Sequence, residues 1–295
     1  MSDTLSMPRH GFLRHGLTGT TLKLMALVLM LLDHIHYFFE FTGAIPLWFS
    51  TAGRLSAPLF LFCTVEGFAH THDRRRYFRR IWAISAGMGL LLFLMMYAGF
   101  PVRPDGFFPL NAIFMNFVIL IPIWQGIDWV SEKRIGRGLT AIALPLIWPF
   151  LFLLLYAAAN ATPAAWLLDS VLAALAYTVL PAWNLITDGG GFYIMIGIAL
   201  YLLRGRRNLQ VGAFVVLTMV FHFVFPYVQL ISTPDFHLSM MFTVAYEWLG
   251  VFAAIPMLLY NGQRGAGLKK LFYIFYPTHV YLLYAISWGV MILMD

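Results

Sequence analysis

Lys23, Asp33 and His34 lie inside the first stretch of this chain that is apolar enough to span a bilayer, Thr20 to Phe39. A charged group near the bilayer midplane costs at least about 2.5–3.5 kcal/mol, so an ionisable residue there is a functional-site hypothesis by default. Lys23 and His34 are eleven positions apart, which on an α-helix puts them within about 20° of one face and about 16 Å apart along the axis. A cation near one membrane surface thus stands above a deep imidazole. A neutral imidazole titrates near neutrality and can take a proton from an amine or a hydroxyl, so His34 is a candidate general base. Adjacent helical residues point about 100° apart, so Asp33 is badly placed to orient its neighbour. It needs a cation from another helix, and Arg54 is the nearest in sequence. Alternatively, His34 only hydrogen-bonds a backbone carbonyl between helices.

Other polar groups fall near the ends of spans. Glu66, His70 and Asp73 follow an i, i+4, i+7 pattern. That pattern can hold a divalent metal, but no metal is expected, because a polar helix end meeting the cytoplasm accounts for it more simply. Glu66 is deeper and can position a substrate instead. Arg74, Arg75, Arg76, Arg79 and Arg80 form a dense guanidinium patch at one surface. Such a run fixes topology and attracts anionic lipid, and its forks also match the phosphates of a ligand. The last helix opens with Phe272-Tyr273-Ile274-Phe275-Tyr276-Pro277-Thr278-His279, an aromatic belt followed by a histidine that is either structural or functional. Asn111, Asn116, His222, Gln229 and Glu247 read as interhelical hydrogen-bonding groups, with Glu247 the one to test for function.

The elements that must position these residues are membrane helices. With 61% hydrophobic and 11% charged residues, the chain is not a soluble globular domain, which would carry about 25% charged residues. Long apolar runs broken by Pro, Gly and Arg clusters exclude a β-barrel of short alternating strands. The fold class expected is an all-α polytopic bundle of nine to ten spans, near 20–40, 46–70, 79–100, 107–125, 139–159, 164–181, 190–203, 209–230, 239–260 and 270–293. Residues 1–19 read as a cytoplasmic tail without a cleavable signal and 20–295 as one membrane domain. Cys63 is the sole cysteine, so no internal disulfide forms. The net charge of +6 sits in short loops, an orientation signal rather than a nucleic-acid footprint. Ten full spans would place Arg204–Arg207 and Arg264 outside. A segment 164–181 that only enters the bilayer, leaving nine crossings, keeps them inside.

Three blocks resemble a known family. Leu22-Lys23-Leu24-Met25-Ala26-Leu27 through Leu31-Leu32-Asp33-His34-Ile35 is similar to the opening helix of the TraX-like membrane proteins. Gly53-Arg54-Leu55-Ser56-Ala57-Pro58-Leu59-Phe60 with Val65-Glu66-Gly67-Phe68-Ala69-His70-Thr71 is similar to their second. Tyr260-Asn261-Gly262-Gln263-Arg264-Gly265, with the segment from Phe272 to His279, resembles their ending. The name-giving member is associated with N-terminal acetylation of a conjugative pilin. The family is also distantly similar to the acyltransferase-three membrane O-acetyltransferases. That group's Arg and His of the first helix would be Lys23 and His34. Its Ser-Gly-Phe would be Glu66-Gly67-Phe68, its Arg pair Arg79-Arg80, and its closing Tyr and His would be Tyr276 and His279.

The resemblance implies an acyl group passing from cytoplasmic acetyl-CoA, or another acyl-CoA, to an envelope acceptor such as a pilin amine or a glycan hydroxyl. The arginine patch would hold the donor's phosphates, and His34, Asp33 and Lys23 would form the reacting centre. No Ser or Cys stands in a nucleophile context, so direct transfer or a transient acyl-His34 is preferred. Two rivals remain: a transporter, which the absence of an internal repeat disfavours, and a non-catalytic pilus-assembly factor.

Overall fold

The computed structural model describes residues 16–97, 102–160, 165–184 and 188–294. Among them the chain is helical throughout, with no strand and one isolated parallel bridge, Leu17 to Tyr260. The helices are α1 (Gly19–Phe39), α2 (Trp48–Gly53), α3 (Ser56–Ala69), α4 (Arg74–Tyr97), α5 (Ile113–Ser131), α6 (Ile135–Asn160), α7 (Ala165–Thr178), α8 (Gly190–Leu202), α9 (Arg207–Met219), α10 (Phe225–Leu230), α11 (Met240–Thr243), α12 (Ala254–Leu258) and α13 (Lys269–Met294). A π-turn, Val220–Val224, joins α9 to α10, and a 3-10 segment, Tyr246–Ala253, leads into α12. Nine to ten spans are expected from the sequence. Six helical stretches have the length and hydropathy of a full span, and three more, Ala165–Thr178, Gly190–Leu202 and Tyr246–Leu258, are apolar but shorter.

Local chemistry sets the breaks. The expected second span divides into α2 and α3 because Pro58 has no N–H for the carbonyl of Arg54 four residues earlier. The chain kinks at Arg54–Leu55 and turns the guanidinium inward. Pro181 ends the α7 region in a comparable way. Free carbonyls at a helix end need partners where no water reaches. Trp82 Nε1 donates to Val179 O at 3.2 Å and Trp148 Nε1 to Leu180 O at 2.7 Å. Gly89 of α4 lets the carbonyl of Tyr177 lie against its backbone, where any Cβ would collide. Residue 188 then reaches the start of α5, with Ala112 N donating to Asp188 Oδ2 at 2.9 Å.

One end of the bundle gathers the cations. Asp128, in the last turn of α5, accepts from Arg74 Nη1 at 2.7 Å, from Tyr201 OH at 2.7 Å and from Arg204 Nη2. A cation at a helix start and an anion at a helix end each oppose the local dipole, and the pairing neutralises both. Thr20 Oγ1 donates to the carbonyls of Arg264 and Ala266, which brings Arg264 to the same end. At the other end, Arg103 is buried between the rings of Phe41 and Phe107, bonds both oxygens of Asp105, and donates to Phe38 O, an orphan carbonyl of α1. The core between the two ends is aromatic and aliphatic, with Phe62, Phe68, Leu120, Trp124, Tyr201 and Phe214 fully enclosed.

Candidate functional site

A cavity of about 1180 Å³ runs through the bundle. At the basic end its wall includes Lys23, Glu66, Arg76, Arg80 and Arg264; farther in lies Tyr276; at the other end are His34, Asn111, Asp33, Arg54 and Asp188. Lys23 and His34 therefore line one cavity, as their phase on α1 requires. Lys23 Nζ lies 5.7 Å from the centre of the Phe272 ring.

His34 is buried on α1, and both its nitrogens are engaged. Nδ1 is 2.8 Å from Nε2 of His279, and Nε2 is 2.7 Å from Nδ2 of Asn111. Nδ1 of His279 is 2.8 Å from the carbonyl of Phe275. A carbonyl only accepts, so His279 carries its proton on Nδ1 and, when neutral, accepts at Nε2. His34 must then donate from Nδ1 and accept at Nε2, where the Asn111 amide donates. The chain of bonds has one direction and selects one tautomer. The basic nitrogen of His34 is the one shared with Asn111, a cavity residue, while His279 stands behind. Tyr276 packs edge-on to both imidazoles, at 6.5 and 5.6 Å between centroids.

Asp33 takes the partner its position demands. Arg54 Nη2 lies 2.7 Å from Asp33 Oδ1 and 2.7 Å from Ser50 Oγ, and Ser50 Oγ also donates to Asp33 Oδ1 at 3.0 Å. The Tyr246 hydroxyl is 3.1 Å from Ser50 Oγ, and the Arg54 guanidinium stacks over its ring. Asp33 does not touch the His34 ring in this network; it fixes the helix break beside it.

The five arginines separate by rotational phase on α4. Arg76 and Arg80 line the cavity and Arg75 and Arg79 do not, although all four are exposed. Arg74 points to Asp128 and to Gln125 Oε1, at 2.7 and 3.0 Å, so it ties helix ends together rather than facing a ligand. The Glu66, His70 and Asp73 pattern also resolves differently from a shared face. Helix α3 ends at Ala69, His70 Nδ1 bonds back to Glu66 O at 2.8 Å, and Asp73 Oδ1 accepts from Arg76 N at the start of α4. Glu66 itself lies 3.5 Å from Arg207 Nη1.

Two contributors were not legible as site residues. Asn111 reads as one more interhelical amide, and Asp188 is a single acid ahead of a run of three glycines. Burial pushes the Asp188 carboxyl up to about 6, against the lowering effect of the Ala112 and Ile113 N–H groups. The turn Asp188-Gly189-Gly190-Gly191, in which an acid precedes three glycines, is the signal that a carboxylate is being delivered to another element.

A family model described as TraX protein matches residues 18–287. Protein TraX of Escherichia coli is 32% identical over 129 residues, or 43% of this chain and 46% of that protein. The alignment thus spans less than half the length of that relative. No solved structure matches.

Proposed function

The chain belongs to the TraX protein family, and from that premise we propose that it is an integral membrane acyltransferase. It would move an acetyl group from acetyl-CoA to an envelope acceptor such as the N-terminal amine of a pilin. The observation that carries this reading is one cavity lined both by Arg76 and Arg80 and by a histidine whose tautomer is fixed. Guanidinium forks suit the donor's phosphates, and Lys23 and Arg264 add charge at the same mouth. The donor's arm would then run inward to present its thioester beside His34. His34 Nε2 takes the acceptor's proton, and His279 holds Nδ1 so that the ring does not turn away. Arg54, Asp33, Ser50 and Tyr246 shape the end from which the acceptor enters.

The same reading fixes orientation. Arg74, Arg204, Arg207 and Arg264 share one end of the bundle, and short loops rich in Arg stay on the cytoplasmic side. With the basic end in the cytoplasm, α7 enters from the far side and its chain returns there at Asp188. The remaining segments then make nine crossings of the inner membrane.

Mass spectrometry of the envelope fraction tests the function. Cells with and without this protein are compared for an acetyl mass on pilin termini and on envelope glycans. An acetyl group that depends on the protein, and is lost with His34→Ala at normal membrane expression, is the expected result. Identical acetylation in both strains would sink the proposal.

A further inference from the structure

Acyl transfer requires a base for the nucleophile's proton and also a hydrogen-bond donor for the carbonyl oxygen that becomes negative. His34 supplies the base, and the donor has still to be identified. Of the donors around His34, Arg54 turns Nη2 to Asp33 and Ser50 Oγ and Nε to Ser50 O, which holds its guanidinium on the Asp33 side. His279 gives its Nδ1 hydrogen to Phe275 O.

Asn111 is different. Its amide nitrogen carries two hydrogens, and the 2.7 Å bond to His34 Nε2 uses one of them. The direction of the histidine chain requires nitrogen, not oxygen, at that contact. The Oδ1 of the same amide is buried without a protein partner, so it does not compete for the amide's orientation. The backbone beside it is tied to Asp188: Ala112 N donates to Asp188 Oδ2 at 2.9 Å, and the Asn116 side chain donates to the carbonyl of the same residue at 2.6 Å. An amide donor is thus fixed in the cavity wall next to the nitrogen that receives the proton.

We infer that Asn111 is the oxyanion donor of the acyl transfer, an inference that rests on the acyltransferase reading. The acceptor's N–H or O–H replaces the Asn111 amide at His34 Nε2. As the acceptor's heteroatom bonds to the thioester carbon, its proton passes to Nε2. The carbonyl electron pair moves to oxygen, which accepts an Asn111 N–H. The pair then returns, the C–S bond breaks, and the leaving thiolate takes the proton from His34. The products are the acylated acceptor and a free thiol.

The full-length protein in nanodiscs is assayed with acetyl-CoA and the acceptor identified by the mass comparison. Asn111→Asp keeps the shape and removes the donor; Asn111→Ala removes the amide without adding charge. Both should lower kcat by about 10²–10³. The KM for acetyl-CoA should stay within about twofold, and the loss of kcat should persist at high pH, where the base is unprotonated in parent and variants alike. Retained acetyl-CoA binding certifies that each variant is folded, and Asn111→Ser, which restores a shorter donor, should recover part of the rate. A kcat near that of the parent, or a loss that vanishes as pH is raised, overturns the inference. A parent protein that neither binds nor turns over acetyl-CoA instead overturns the acyltransferase reading beneath it.

Discussion

Nδ1 of His34 and Nε2 of His279 are 2.8 Å apart, although 245 positions separate them in the chain. The first and last helices each contribute one imidazole, and the Phe275 carbonyl closes the series. Under the acyltransferase proposal His279 would therefore be a positioning residue, acting through the ring it holds.

His279→Ala should leave acetyl-CoA binding intact while lowering acceptor turnover by about 10²–10⁴, the usual scale of a positioned base. His279→Gln can still accept from Nδ1 of His34 through its amide oxygen and should keep more activity than the alanine variant. Equal losses in the two variants would mean that the second imidazole does something other than accept.

The phase of α4 separates arginines that face the cavity from those that do not. Reversing charge at Arg76 and Arg80 should weaken acetyl-CoA affinity, and raised salt should do so in the parent. Reversal at Arg75 and Arg79 should leave affinity near normal. Arg74→Gln should lower thermal stability in detergent, because it leaves Asp128 one cation short, and should not alter affinity. Calorimetric titration with acetyl-CoA and thermal melts separate these outcomes.

Topology is accessible to labelling. In a Cys63→Ala background, single cysteines replacing Asn208 and Gly262 should resist a membrane-impermeant reagent in intact cells and react after lysis. Both sites lie at the basic end, beside Arg207 and Arg264. Modification of either in intact cells would refute the nine-crossing arrangement.

Asp188 gives a pH dependence with a definite sign. Its folded pKa, about 6, is raised above the ordinary 3.8, so the folded chain holds a proton more readily than the unfolded one. The stability this contributes is fully present below the unfolded value and is lost as pH rises through the folded value. The melting midpoint in detergent should fall between about pH 4 and about pH 6, and Asp188→Asn should flatten that slope. Parallel slopes for parent and variant would show that another group titrates there.

Much of the bundle was legible because bilayer physics writes it into composition. Most apolar runs became helices near their expected positions, and a carboxylate in the first span demanded a cation that Arg54 provides. Lys23 and His34 share a cavity because both lie on one helix, where periodicity fixes relative phase. The meeting of His34 with His279 was not legible, since periodicity within a helix says nothing of its rotation against a distant neighbour. The same ignorance hid the split between Arg74 and Arg76. Asn111 was obscure for another reason: a single amide at the mouth of a helix looks alike whether it serves packing or chemistry.

Gly53 adds a mechanical consequence. A Cβ there would fall onto the Asp33 side chain. The backbone of α2 thus backs directly onto that carboxylate, and Arg54, the next residue, grips it from the side. Asp33 is thus a fixed fitting of the cavity wall, unable to travel with whatever arrives there. Any side chain at position 53 would force α2 away from that carboxylate and open the wall.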